Sequence, residues 1–110
     1  MRAIPLSLRP ALERYEQRLR ALFGDRLRDI RLFGSCARGE ADEDSDVDVL
    51  AVIDDLTERE LDRAIDEATN VRLETRVPLA PLPMATGQLD ELRRQGRLIA
   101  RDLDEEGISL

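Results

Sequence analysis

Apolar positions recur at helical spacing near the start of the chain, with Leu12, Tyr15, Leu19 and Leu22 falling on one face. Pro10 suits the first turn of such a helix and Gly24 its end, which predicts a helix from Pro10 to about Phe23. The period then changes. Residues Arg28 to Phe33 read as a short strand that runs directly into Gly34-Ser35. From Asp46 to Ile53, "DVDVLAVI" is rich in branched residues and unbroken in its apolarity past the second acid, as a strand covered on both faces requires. Thr57 and Glu60 have capping-box spacing, and Leu61, Ala64, Ile65 and Ala68 continue a helical stripe. That helix is expected to end between Asn70 and Thr75. Three prolines in "VPLAPLPM" (Val77 to Met84) exclude helix and favour an extended edge strand. Two short helices, near Gly87–Gln95 and Leu98–Glu105, and a "GISL" tail complete the chain. This order predicts an α/β fold, a small mixed sheet of about three to four strands packed with helices, in one domain over residues 1–110.

Composition narrows the chemistry. The 110 residues include no histidine, so any acid–base or metal chemistry falls to carboxylates. All 17 basic residues are arginine, which excludes lysine chemistry. A net charge of −7 argues against direct nucleic-acid binding, which needs a basic face. With one cysteine and no run of 18 apolar residues, the plain expectation is a cytoplasmic protein without a membrane span.

Against that background the stretch "FGSCARGEADEDSDVDVLAVID" (Phe33 to Asp54) stands out. A strand that ends in Gly-Ser and turns into a short helix points backbone N–H groups outward, an arrangement that favours phosphate. Asp46 and Asp48, two apart on a strand, project from one face while Val47 and Val49 take the other. Two converging carboxylates repel unless a cation joins them, and a hard ion such as Mg²⁺ brings water and substrate phosphates with it. A calcium loop beginning at Asp42 is excluded, because Val47 and Ile53 stand where its glycine and bidentate glutamate are needed. Phosphate cradle and metal-binding acids together indicate nucleotide chemistry.

The joint pattern of strand, Gly-Ser, ten residues and Asp-hydrophobic-Asp-hydrophobic resembles the minimal nucleotidyltransferases of the DNA polymerase β-like superfamily. "LFGSCARGEADEDSDVDVLAV" fits that signature throughout, including Ala37-Arg38-Gly39 after the Gly-Ser, and "LAPL" and "EEGISL" resemble the family's ends. The resemblance implies the polymerase β-like fold, triphosphate binding by Gly34 and Ser35, and Mg²⁺ at the catalytic acids Asp46 and Asp48. It implies transfer of a nucleoside monophosphate, AMP from ATP or another NTP, to an acceptor hydroxyl. It further implies a helical partner of the HEPN type, this chain being the antitoxin of a toxin–antitoxin pair, and leaves a homodimer open. The superfamily's third carboxylate has no counterpart in "VPLAPLPM", where Ala80 stands in its place. Glu74 is the substitute if "VRLETRV" is a strand; otherwise it closes the helix begun at Thr57. Without a third acid, the alternative is a catalytically weak or inactive fold that neutralises a partner by contact. Arg38 contacts phosphate or pairs with neighbouring acids. Cys36, with no histidine to activate it, reads as a packing residue. Arg93, Arg97 and Arg101 line one helix face if Gly96 does not break the helix.

Overall fold

The computed structural model describes residues 4–39, 45–97, 101 and 107–110. Helix α1 spans Arg9–Phe23, and a 3-10 turn (Gly24–Arg26) leads into strand β1, Leu27–Phe33. Helix α2 (Gly34–Arg38) follows without a break, then strand β2 (Val47–Ile53), helix α3 (Glu58–Thr75), strand β3 (Leu79–Ala85), helix α4 (Thr86–Arg94) and a short strand β4 (Ile108–Ser109). The strands form one mixed sheet in the order β3-β2-β1-β4. β1 pairs antiparallel with β2 and with β4, whereas β2 and β3 are parallel, joined by α3 as a crossover.

Alternation along β2 divides the core. Val47, Val49, Ala51 and Ile53 turn to one face, where they pack with Leu12, Tyr15 and Leu19 of α1 and with Ala64, Ala68 and Val71 of α3. Leu50 and Val52 turn to the other face, where Met84 and Leu89 of α4 cover them and Phe33, Leu82 and Leu92 pack alongside. Both faces are thus covered over the length of β2, the reason its apolar run is continuous. Asp48 shares the face of Leu50 and Val52.

Three expectations need correction. Leu22 is exposed, and Phe23 is buried in its stead, because α1 presents Ala11, Leu12, Tyr15, Leu19 and Phe23 to the sheet. Ile65 is also exposed, its place on the buried stripe of α3 being taken by Val71. The expected tail becomes β4: Ile108 pairs with Leu32 and the Leu110 N–H donates to the Ile30 carbonyl at 3.0 Å, giving the outer edge of β1 a partner. The expected helix at Leu98–Glu105 lies outside the described residues except Arg101, which is helical.

β3 carries its prolines on the outside. Pro78 accepts a hydrogen bond from the Val47 N–H at 2.9 Å, so even-numbered residues of this strand turn their backbone groups to β2. Pro81 and Pro83 fall on the odd-numbered, outward positions, where a missing N–H costs the ladder nothing. No helix among the described residues is long and apolar enough to cross a membrane.

Polar contacts fasten α1 to α3. The buried Tyr15 hydroxyl donates to the Ala64 carbonyl at 2.9 Å, and burial, with Glu67 nearby, pushes its pKa up. The Thr57–Glu60 capping box forms as expected. Arg26 extends it, binding Glu60 through two nitrogens at 2.7 and 2.8 Å and the Asp54 carbonyl at 3.0 Å. Hydrogen bonding from Arg26, then from the Thr57 backbone, lowers the Glu60 pKa from 4.5 to about 2. A depressed carboxylate stabilises the fold above its unfolded pKa, and that contribution is lost as the pH falls through the folded value. The stability gap between wild type and Glu60→Gln is therefore expected to be constant at neutral pH and to close between pH 4.5 and about 2. Urea titrations across that range measure it, and a gap that stays constant down to the lower limit contradicts the assignment.

Candidate functional site

The end of β1 and the start of β2 meet because of the ladder register. Phe33 pairs with Asp48 on one side, and Asp48 pairs with Ala80 of β3 on the other. The chain leaves β1 at Gly34, with φ +72°, and enters α2 at once. This left-handed conformation already favours glycine. A second constraint is stricter: a Cβ at Gly34 would lie 2.3 Å from Oδ2 of Asp48. The carboxylate of Asp48 therefore rests directly over the backbone of Gly34. Two signature residues ten or more positions apart are in contact, and the glycine is there because the carboxylate occupies the space of a methyl group.

Asp46 lies one residue before β2 and is exposed, whereas Asp48 is half-buried. The Cys36 Sγ on α2 lies 3.5 Å from the Asp46 carbonyl as a weak donor, and Cys36 is buried with Ala37 against the core. That is the packing role expected of it, and it ties α2 to the segment that carries the acids. Gly34 and Asp48 are thus in contact, and the Asp46 backbone is held to α2 beside them. Of Ser35 and Arg38 the structure describes the backbone, in α2, and not the side chains.

Glu74 does not join them. It is the penultimate residue of α3, and its carboxylate pairs with Arg14 and Arg18 of α1. Hydrogen bonding from Arg14 holds its pKa below the usual carboxylate value. The strand reading of "VRLETRV" is overturned because the helical stripe continues through Val71, and only Arg76, at φ +62°, stops the helix. On β3 the residue beside Asp48 is Ala80, and the strand carries no acid.

The donor set suits a hard cation bound with its ligand. Among the described residues no group of three or more acidic, cysteine or histidine side chains converges on a metal position. Two carboxylates at the mouth of β2 leave most positions of an octahedral ion to water and to phosphate oxygens, the coordination Mg²⁺ favours. Gly34→Ala is expected to destabilise the fold by about 1–3 kcal/mol, the φ > 0 cost plus displacement of the Asp48 carboxylate. Denaturant titration of Gly34→Ala and of Gly34→Ala/Asp48→Ala, each against its Gly34 parent, separates the two parts. The glycine substitution should cost less when Asp48 is already alanine, and an equal cost in both backgrounds would contradict the contact.

Comparison with known proteins identifies the family. A family model described as a nucleotidyltransferase domain matches residues 12–102. Two candidate protein adenylyltransferases of Methanocaldococcus jannaschii are similar. One is 48% identical over 52 residues, covering 47% of this chain and 35% of that relative, so the chain spans about a third of its length. The other is 30% identical over 90 residues, covering 77% of this chain and 91% of the relative. The crystal structure of a candidate nucleotidyltransferase from Sulfolobus solfataricus superposes with a TM-score of 0.53 at 16% identity, over 94% of this chain and 84% of that one, a likeness of fold. The matched span takes in α2, the whole of β2 and the contact between Gly34 and Asp48, and this chain belongs to the nucleotidyltransferase-domain family, an enzyme family of nucleotidyl transfer.

Proposed function

We propose that this chain transfers AMP from ATP to a hydroxyl on a partner protein. The observation that carries this reading is the Asp48 carboxylate seated on Gly34, with Asp46 beside it at the start of β2. The names of the two archaeal relatives support adenylyl transfer to protein. Asp46 and Asp48 would hold Mg²⁺, which when bound offsets negative charge on the triphosphate. Gly34 and Ser35 cradle the phosphates, with Arg38 as a further phosphate contact. The acceptor oxygen attacks the α-phosphorus in line, the bond to the bridging oxygen breaks, pyrophosphate leaves, and water takes up the hydroxyl proton. The uncharged flank at Ala80 means that no side chain of β3 can act as general base.

In the same reading the partner is a HEPN-type helical protein, this chain is its antitoxin, and the acceptor is a tyrosine of the HEPN ribonuclease. A second reading draws on one observation, that β3 bears no acid next to Asp48 and Glu74 is committed to α1. In it the fold neutralises its partner by contact, with little or no transfer.

Calorimetry with ATP tests the site. Affinity is expected to depend on Mg²⁺ in the wild type and to lose that dependence in Asp46→Asn/Asp48→Asn, which should fold normally because it relieves like-charge repulsion. ATP binding that ignores both the metal and the double substitution would sink the proposal. Labelled AMP incorporation into a co-expressed HEPN partner separates the two readings. Glu74→Gln is expected to change that incorporation by less than about threefold, whereas loss of a general base costs roughly 10²–10⁴-fold. A loss of the larger size would return Glu74 to the reaction.

A further inference from the structure

Where α4 ends, the chain departs from a local packing rule. The Gly96 N–H donates to the Arg93 carbonyl and the Arg97 N–H to the Leu92 carbonyl, each at 3.1 Å. With Gly96 at φ +65°, this pair of bonds is a Schellman cap. The residue that follows the left-handed glycine commonly packs an apolar side chain on the third residue from the helix end, here Leu92. This chain places Arg97 there instead. Arg97 is exposed, and among the described residues no ion pair engages its guanidinium. The cap fixes its backbone, so the position is set by the fold. Gly96 also ends the helix before Arg97, so the condition for Arg93, Arg97 and Arg101 to share one helix face is not met.

That position belongs to the reactive side of the sheet. α4 follows β3 with no intervening residue and lays Leu89 and Leu92 on the face that carries Asp48, so it runs back along the sheet from the Asp54 end. Leu92 packs on the same apolar cluster as Phe33, the cross-strand neighbour of Asp48. Arginines in a last helical turn are explained by the negative end of the helix dipole, and Arg93 and Arg94 also pair with Asp90 and Glu91. Neither reason reaches Arg97, which lies past the helix.

We infer that Arg97 binds the β- and γ-phosphates of the nucleotide, as the cationic wall of the triphosphate site across from Asp46 and Asp48. The inference rests on the nucleotide site proposed above. A guanidinium offers paired donors to phosphate oxygens. As the bond from the α-phosphorus to the bridging oxygen breaks, negative charge collects on the departing pyrophosphate, where Arg97 stabilises it; no atom passes to the side chain. AMP lacks both of these phosphates, so Arg97 distinguishes the triphosphate from the monophosphate.

The experiment titrates ATP with Mg²⁺, and separately AMP, into the full chain and its Arg97→Ala and Arg97→Lys variants by calorimetry. Arg97→Ala is expected to weaken ATP binding roughly tenfold, the worth of a charged hydrogen bond, with AMP affinity unchanged and Arg97→Lys in between. Equal ATP affinity in wild type and Arg97→Ala, or equal losses for ATP and AMP, overturns the role of Arg97 and leaves the nucleotide site standing. A wild-type chain that binds no ATP removes the nucleotide site and Arg97's role together.

Discussion

The antiparallel pairing of β1 with β2 sets Phe33 opposite Asp48, and the arrangement of the reactive end follows from that register. A slip of one residue would turn Asp48 into the core and Val49 to the site. The register is secured by Val47, Val49, Ala51 and Ile53, which have no exposed alternative once α1 and α3 close over them. Hydrophobic burial on one face thus positions a carboxylate on the other. The same register brings Asp48 onto Gly34, where only a residue without a Cβ can leave the strand in the required direction.

The charged contacts are distributed by a different logic. Arg14 and Arg18 of α1 and Arg26 of the turn after it bind Glu74, Glu67 and Glu60 of α3, on the face of the sheet opposite Asp48. These pairs are partly exposed and contribute modestly one by one, but together they fix how two helices lie over the sheet. Thr86 and Arg28 meet the Asp54 carboxylate at the opposite end of β2 from Asp48, tying the start of α4 to the strand it covers.

Much of this was legible in the sequence because it depends on short-range period and spacing. The apolar run of β2, the Thr57–Glu60 box and the prolines of β3 each specify an element by local chemistry. So did the Gly-Ser and Asp-x-Asp pattern, whose Gly34 and Asp48 lie in contact. What escaped is long-range. The exposure of Leu22 and Ile65 depends on where the sheet lies beneath each helix, which helical spacing leaves open by one position. β4 was missed because two residues carry no period. The reason for Gly34 lies in an aspartate fourteen positions on. Glu74, by contrast, closes the helix begun at Thr57, one of the two readings its stretch allowed, and ion pairs from α1 help hold it there.

The outward-facing prolines of β3 act beyond the ladder they spare. A parallel strand at the rim of a sheet ordinarily offers a row of N–H donors on which another chain can crystallise its own backbone, the first step of fibre growth. At Pro81 and Pro83, two successive outward positions, that row is interrupted, so the rim is a poor template for a newcomer. A chain with few aromatic residues and an uninterrupted "VLAVI" beside this rim has a segment prone to such templating. The two imino acids insulate it along this edge.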